Sequence, residues 1–378
     1  MYPVTEDQAS LVEMVAQFAA ESLAPYAAEW DETHYFPVEV LREAGALGMG
    51  GIYTREEFGG SGLSRADSVL IFEALAAGDT TIAAYLSIHN MVTWMVDTYG
   101  SLEQRAEWVP RLASMDALGS YCLTEPGVGS DAGALSTRAV RDGDDYILNG
   151  VKQFISGAGA AGLYIVMART ADTGSHGISA FLVADGTPGL SFGPLEKKMG
   201  WRAQPTRQVI LDDIRMPASA MLAGEGEGFG IAMSGLDSGR LNIGACSVGG
   251  GQAALDKSVA YLKQREAFGS PLIQNQALLF QLADMDTELE TARTLLARAA
   301  LAVDNNDADK VKLCAMAKRV ATDAGFAVAN AAIQLHGGYG YLSEYGLERI
   351  VRDLRVHQIL EGTNEIMRMI VGRSLADR

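Results

Sequence analysis

Arg355-Val-His-Gln-Ile-Leu-Glu-Gly-Thr-Asn-Glu-Ile-Met-Arg-Met-Ile-Val-Gly-Arg373 is the stretch around which the rest of the chain is organised. A carboxylate, Glu361, follows the apolar pair Ile359-Leu360 and precedes Gly362. Thr363 is placed to cap an amphipathic helix, with Ile366, Met369 and Ile370 on one stripe and Arg368 and Arg373 as its charges. A glutamate at a loop-to-helix junction beside apolar residues is a candidate for a base strengthened by loss of water. Gly362 lacks a Cβ, so a flat ligand could lie close to the backbone there. Alone, an acid at a helix start is more simply read as a complement to the helix dipole. The rest of the chain reverses that reading.

A chain of 378 residues is too long for one simple core and fits two or three domains. Hydrophobic content of 48% with charged content of 20% is that of an ordinary folded protein. Aromatic residues are sparse while Ala and Gly are plentiful, which favours close-packed helices. The net charge of −17, with no basic stripe to offset it, argues against a nucleic-acid binder. Cys122, Cys246 and Cys314 are far apart and form no C-x-x-C, so neither a disulfide frame nor a zinc site is expected. The acidic start Met-Tyr-Pro-Val-Thr-Glu-Asp reads as neither a signal nor a transit peptide. No apolar run approaches the ~20 residues of a membrane span. The expectation is a cytoplasmic protein that binds no membrane.

Three textures follow one another. Residues 1–117 read as helices. Thr5-Glu-Asp-Gln8 and Ser101-Leu-Glu-Gln104 are capping-box starts, and Leu11, Met14, Val15 and Phe18 fall at helical spacing. Pro37 opens a second helix, and two more are expected at about 64–78 and 81–98. Residues 118–222 form a β domain, with strands at Ala139–Asn149, Val151–Ile155, Leu163–Arg169, Ile178–Ala184 and Thr206–Leu211. Turn signals at Asp142-Gly143, Asn149-Gly150 and Pro188-Gly189 lie between them, which suggests a small antiparallel barrel or sandwich. Residues 223–378 are helical again. Leu278, Leu282, Met285, Leu289, Ala292, Leu296 and Ala299 form a seam of period 3.5, the mark of a helix bundle. The predicted fold is α+β: a helical domain, a β-barrel or sandwich, then a four-helix bundle.

Several short stretches carry chemistry, each weakly. Gly157-Ala-Gly-Ala-Ala-Gly162 matches G-x-G-x-x-G, but a strand rather than a helix follows it, so a tight connection is expected in place of a dinucleotide site. Tyr121-Cys-Leu-Thr-Glu-Pro-Gly-Val-Gly-Ser-Asp131 offers hydroxyls and backbone N–H groups to a polar ring or phosphate. Phe154-Ile-Ser156 ends a strand in a hydroxyl. Asp237-Ser-Gly-Arg240 sets an acid and a base three apart on one helix face. Arg265-Glu-Ala-Phe-Gly-Ser-Pro271 follows, with Asn275-Gln276 beyond it. Gln334-Leu-His-Gly-Gly-Tyr-Gly340 breaks a helix with a glycine pair, and His336 reads better as a structural than as a catalytic histidine.

Together these stretches, with Leu360-Glu-Gly-Thr-Asn-Glu365, stand in the order and spacing of the acyl-CoA dehydrogenase family, which the whole chain resembles. Ser87-Ile-His-Asn90, Ile-Ser-Gly-Ala-Gly159 and Val-Arg-Asp-Leu-Arg-Val-His-Gln-Ile-Leu-Glu-Gly362 resemble most closely the members acting on short branched acyl groups, isobutyryl-CoA first. The resemblance implies FAD between the β domain and the bundle of a homotetramer, shared across subunits. Tyr121, Cys122, Leu123, Thr124, Gly129 and Ser130 would contact the flavin, with Phe154, Ile155 and Ser156 flanking its ring. Arg265, Phe268, Asn275 and Gln276, with Gln334, Leu335, His336, Gly337 and Gly338, would hold the pyrophosphate and adenine end. Thr363, Asn364 and Glu365 would complete the site. Asp237, Ser238, Gly239, Arg240, Gly362 and Arg373, with Ser130, would meet the acyl-CoA thioester.

In that resemblance Glu361 is the base that takes the α-proton while the β-carbon gives hydride to the flavin, in valine breakdown. An electron-transfer flavoprotein would then accept the electrons. Family members that carry the base on the earlier helix have a Glu there; Asp237-Ser-Gly-Arg240 has none. The alternatives are the same reaction on 2-methylbutyryl- or butyryl-CoA, and a flavin oxidase or monooxygenase on the same fold. A non-catalytic acyl-CoA-binding protein is a third.

Overall fold

Residues 4–376 are described by the computed structural model; the first three residues of the acidic start lie outside that range. Thr5 opens α1 (Glu6–Phe18) with the expected reciprocal capping box, its hydroxyl accepting from the Gln8 N–H at 3.2 Å. Ser101 opens α6 (Leu102–Ala113) in the same way. Between them lie α2 (Ala27–Thr33), α3 (Val38–Ala46), α4 (Arg65–Gly78) and α5 (Thr80–Tyr99). The short α2 was not expected from the sequence.

The chain turns to strands at β1 (Gly119–Cys122), followed by β2 (Arg138–Asp142), β3 (Asp145–Ser156), β4 (Leu163–Arg169), β5 (Ile178–Ala184), β6 (Leu190–Phe192), β7 (Thr206–Pro217) and β8 (Met221–Leu222). They form one sheet in the order β6-β7-β3-β2-β4-β5-β8, with β1 added beside β4. Two departures from expectation matter. Asn149-Gly150 is not a turn: β3 runs straight through it, and the pairing with β7 merely shifts register between Leu148 and Gly150. Thr137 leaves no room for a Cβ at Gly150, so the glycine serves close packing rather than reversal. Secondly, β1 pairs with β4 in parallel, Gly119 opposite Leu163 and Cys122 opposite Val166. The start of the Tyr121–Asp131 stretch is therefore regular strand. The glycine run 157–162 makes the tight connection from β3 to β4, with Gly157 at φ 78° and Gly159 at φ 83°.

The last part is built on α7 (Gly228–Gln264), α8 (Gln276–Asp304) and α9 (Lys310–His336), joined by α10 (Leu347–Arg355) and α11 (Asn364–Ala376). Leu282, Met285, Leu289, Ala292, Leu296 and Ala299 are buried along α8, as the seam predicts. The helices approach closely: a Cβ on Gly325 of α9 would stand 2.2 Å from the Ser247 carbonyl of α7. The face of α11 differs from expectation. Asn364 and Met367 are its buried residues, while Met369 is exposed. The Asn364 amide is bonded to α9, and that fixes the rotation of the helix.

Candidate active site

Glu361 lies between a 3₁₀ turn, Val356–Gln358, and α11; its φ is 54°, and that of Gly362 is 91°. A side chain in the left-handed region costs about 1–3 kcal/mol and persists only where surrounding contacts impose it. Those contacts come from three directions. Arg240 on α7 donates from Nε to the Glu361 carbonyl at 3.2 Å, while its Nη1 pairs with Asp237 at 2.7 Å. Lys318 on α9 donates from Nζ to the Gly362 carbonyl and to Asn364 Oδ1, each at 2.9 Å. Ahead of Glu361, the buried His357 accepts from Trp201 Nε1 at 3.2 Å and meets the Ser247 hydroxyl through Nδ1 at 2.7 Å. Burial holds His357 neutral, its pKa lowered to about 3, so it can serve both neighbours. The 355–361 stretch is thereby tied to the β domain and to α7 together.

The Glu361 carboxylate faces α7 at Gly239. A Cβ there would stand 2.6 Å from Oε2 and 2.8 Å from Oε1, so glycine leaves the room that the carboxylate occupies. Oε2 is shut off from solvent and has no hydrogen-bond partner among the described residues. Loss of solvation pushes the carboxyl up to about 7, against the opposing pull of Lys318 and Arg240. The Tyr121 hydroxyl is likewise buried without a partner, and burial with the nearby Glu361 charge keeps it protonated. An unpaired carboxylate at this basicity can take a proton from a carbon acid brought against it. Thr363 caps the following helix as expected, its Oγ1 accepting from the Ile366 N–H at 3.3 Å.

The loop after β1 is organised by a residue that sequence reasoning did not single out. Glu125 turns inward and accepts from the Ser136 N–H and hydroxyl, both at 2.7 Å, from the Thr137 N–H at 2.9 Å and from Lys152 Nζ at 2.8 Å. Lys152 also donates to the Leu123 carbonyl at 3.2 Å, and Gln153 N–H donates to the Thr124 carbonyl at 2.8 Å. The loop is thus pinned against the end of β3, with Gly129 and Ser130 outermost and exposed. At that end Phe154 has φ 59° and is 64% exposed, beside the buried Ile155 and the half-buried Ser156. An exposed aromatic and a half-buried hydroxyl at the end of a strand that pins this loop, with the loop's Gly129 and Ser130 outermost, fit a flavin ring.

A second group lies elsewhere. Arg265 caps the far end of α7 and sits over the Tyr339 ring at 5.6 Å. Phe268 is fully exposed at φ 54°, Asn275 caps α8, and Gln276, Gln334, Gly337 and Gly338 are exposed nearby. From Arg240 to Arg265 the helix runs ~37 Å at ~1.5 Å per residue. Arg265 therefore stands a long helix away from Arg240, which holds the Glu361 corner. Several predicted contacts turn inward. Cys122, Leu335 and His336 are buried, His336 bonding the Ala332 carbonyl through Nδ1 at 2.8 Å and stacking on Tyr261. The Asn364 side chain is engaged with Lys318, Thr322 and Asp323. Ser238 is buried in α7, Glu365 pairs with Arg368, and Arg373 is exposed without an ion pair among the described residues.

Lys152 and Lys318 were also missed. Lys318 carried a signal: it falls four residues after Cys314 and three before Ala321 on the buried face of α9, where a lysine needs a partner.

Comparison with known proteins agrees with this architecture domain by domain. The acyl-CoA dehydrogenase N-terminal, middle and C-terminal domain families match residues 5–116, 120–214 and 226–376. The mitochondrial isobutyryl-CoA dehydrogenase of Bos taurus is 51% identical over 98% of this chain and 89% of its own length. The solved butyryl-CoA dehydrogenase of Megasphaera elsdenii superposes with a TM-score of 0.96 at 38% identity, covering 100% of both chains. A glutaryl-CoA dehydrogenase of Mycobacterium smegmatis, solved in complex with FADH2, gives a TM-score of 0.93 at 32% identity, over 99% of this chain and 96% of that one. The helix–sheet–helix order, the glutamate with its shut-off carboxylate oxygen at the bundle corner and these matches lead to one conclusion: the chain belongs to the acyl-CoA dehydrogenase family.

Proposed function

We propose that the protein oxidises a short branched-chain acyl-CoA, isobutyryl-CoA first, to the α,β-unsaturated thioester, with FAD as the cofactor. The observation that carries this reading is the Glu361 carboxylate, whose Oε2 is shut off from solvent with no hydrogen-bond partner among the described residues, beside Gly239 of the bundle. The similarity to the isobutyryl-CoA dehydrogenase supports the choice of substrate.

The α-proton of a thioester is a very weak acid, and a free glutamate with pKa ~4.3 is a poor base for it. Glu361 gains basicity from its dry surroundings, and an acyl chain closing over it would remove the remaining water. Arg240 and Lys318 hold the successive carbonyls of Glu361 and Gly362, so the position of the base is set before substrate arrives. The Glu361 N–H is the candidate donor to the thioester oxygen as negative charge develops there. When bound, flavin supplies the two-electron oxidation by taking hydride from the β-carbon. On this chain Phe154, Ser156 and the Thr124–Ser130 loop would hold its ring.

The ~37 Å along α7 between Arg240, which holds the Glu361 corner, and Arg265 favours a site completed by a second copy of the chain, within a homotetramer. An electron-transfer flavoprotein as acceptor and a cytoplasmic location belong to the same reading.

Anaerobic bleaching of the flavin near 450 nm, with isobutyryl-, 2-methylbutyryl-, butyryl- and isovaleryl-CoA in parallel, tests it. Fastest bleaching by isobutyryl-CoA is expected. Fastest bleaching by another thioester would discard the substrate and keep the reaction; no bleaching by any would discard the function. One methylene is worth only ~1–3 kcal/mol in a pocket, so the four rates must be compared directly.

A further inference from the structure

Lys318 is fully buried, and no carboxylate lies within ion-pair distance of it among the described residues. Withdrawing an ammonium from water costs several kcal/mol, and a buried charge is normally paired. Here the ammonium binds the Gly362 carbonyl and Asn364 Oδ1 instead. Asn364 in turn donates to Thr322 Oγ1 at 3.0 Å and to Asp323 Oδ1 at 2.8 Å. Gln358, three residues before Glu361, donates to the same Asp323 oxygen at 2.7 Å. Helix α9 therefore grips the chain on both sides of Glu361.

The charged and titratable groups whose electrostatics couple to Glu361 are Arg240 and Cys246 of α7, Tyr121 of β1, Tyr53 of the 47–64 segment, and Lys318. Arg240 also lowers the Glu361 pKa, but less than Lys318 does, and its guanidinium is shared with Asp237. Burial keeps the two tyrosines and the thiol protonated and uncharged. Lys318 is the stronger of the two cations and the one with no ion pair among the described residues.

We infer that Lys318 is a positioning residue for Glu361: it fixes the left-handed corner through the Gly362 carbonyl and, as the neighbouring positive charge that no carboxylate pairs with among the described residues, favours the ionised form of the base against its burial. This rests on Glu361 being the base. Closing the site over substrate would then change the basicity of Glu361 without moving it.

The test follows anaerobic flavin bleaching, by whichever thioester bleaches fastest, across the pH range in the wild type and in Lys318→Arg, Lys318→Gln and Lys318→Met, with Glu361→Gln as the control for the base itself. Gln retains a donor for the Gly362 carbonyl without the charge; Arg retains the charge. In the Gln and Met variants the acidic limb of the rate is expected to move up by about one pH unit or more, because a nearby cation lowers a carboxyl by about that amount. In the Arg variant it is expected to stay near the wild-type position. A limb that stays in place in Lys318→Gln, with the rate merely scaled down, would overturn the inference. So would loss of flavin and native circular dichroism in both neutral variants but not in Arg, since the charge would then serve the fold alone. Unimpaired bleaching in Glu361→Gln would instead remove the assignment of the base.

Discussion

Glu125 is buried and the half-buried Glu361 has its Oε2 shut off from water, and each has a buried lysine nearby, Lys152 for one and Lys318 for the other. Burial pushes both carboxyls up. At Glu125 the Lys152 ion pair and the donors from Ser136 and Thr137 outweigh it, and the group falls to about 2. At Glu361 the lysine donates to neighbouring backbone and amide oxygens rather than to the carboxylate, Oε2 is left without a donor, and the group rises to about 7. The pairs share their residue types. What separates an anchor from a base is whether the lysine and the local N–H groups reach the carboxylate or stop one residue short of it.

The sharpest way to break this contrast is Glu361→Gln. Bleaching is expected to fall by about 10²–10⁴-fold with flavin retained, since a positioned general base supplies roughly that factor. Near-normal bleaching would place the base elsewhere. Lys152→Met addresses the other site. It leaves Glu125 charged and unpaired, and a broken buried pair costs about 3–5 kcal/mol, read as a lower denaturant midpoint. An unchanged midpoint would show that Glu125 does not anchor its loop.

The smallest effect concerns stability against pH. The folded-state value of Glu361, about 7, lies above the ~4.3 of a free glutamate, so across that window the native state holds a proton that the unfolded chain has released. Glu361 therefore subtracts stability as pH rises from ~4.3 to about 7. Glu125 does the reverse, contributing stability above ~4.3 that is lost as pH falls toward about 2. Glu361→Gln is expected to be more stable than the wild type by about 1–3 kcal/mol at about pH 8, with the difference gone near pH 4, by chemical denaturation. A difference that does not change with pH would mean that Glu361 is not held above its ordinary value.

Much of this architecture was legible in the sequence because it rests on local rules. The capping boxes at Thr5 and Ser101 need only four residues, and the α8 seam needs only its period. Glu361 was legible for the same reason, standing between an apolar pair and a helix start. What was not legible depends on partners distant in sequence. The parallel pairing of β1 with β4 joins residues some forty positions apart. Asn149-Gly150 carries a turn signature, yet the strand opposite continues and the glycine is used to clear Thr137. Lys152 and Lys318 have the composition of surface residues, and only the folded chain shows what each holds.

The left-handed backbone at position 361 sets stability and turnover against each other at a single codon. Glycine would relax the corner, and glutamine would relieve the buried charge. Either would give a tougher protein with no base. Selection of random variants for heat resistance alone would accordingly discard this glutamate early, and the survivors would look well folded while doing nothing.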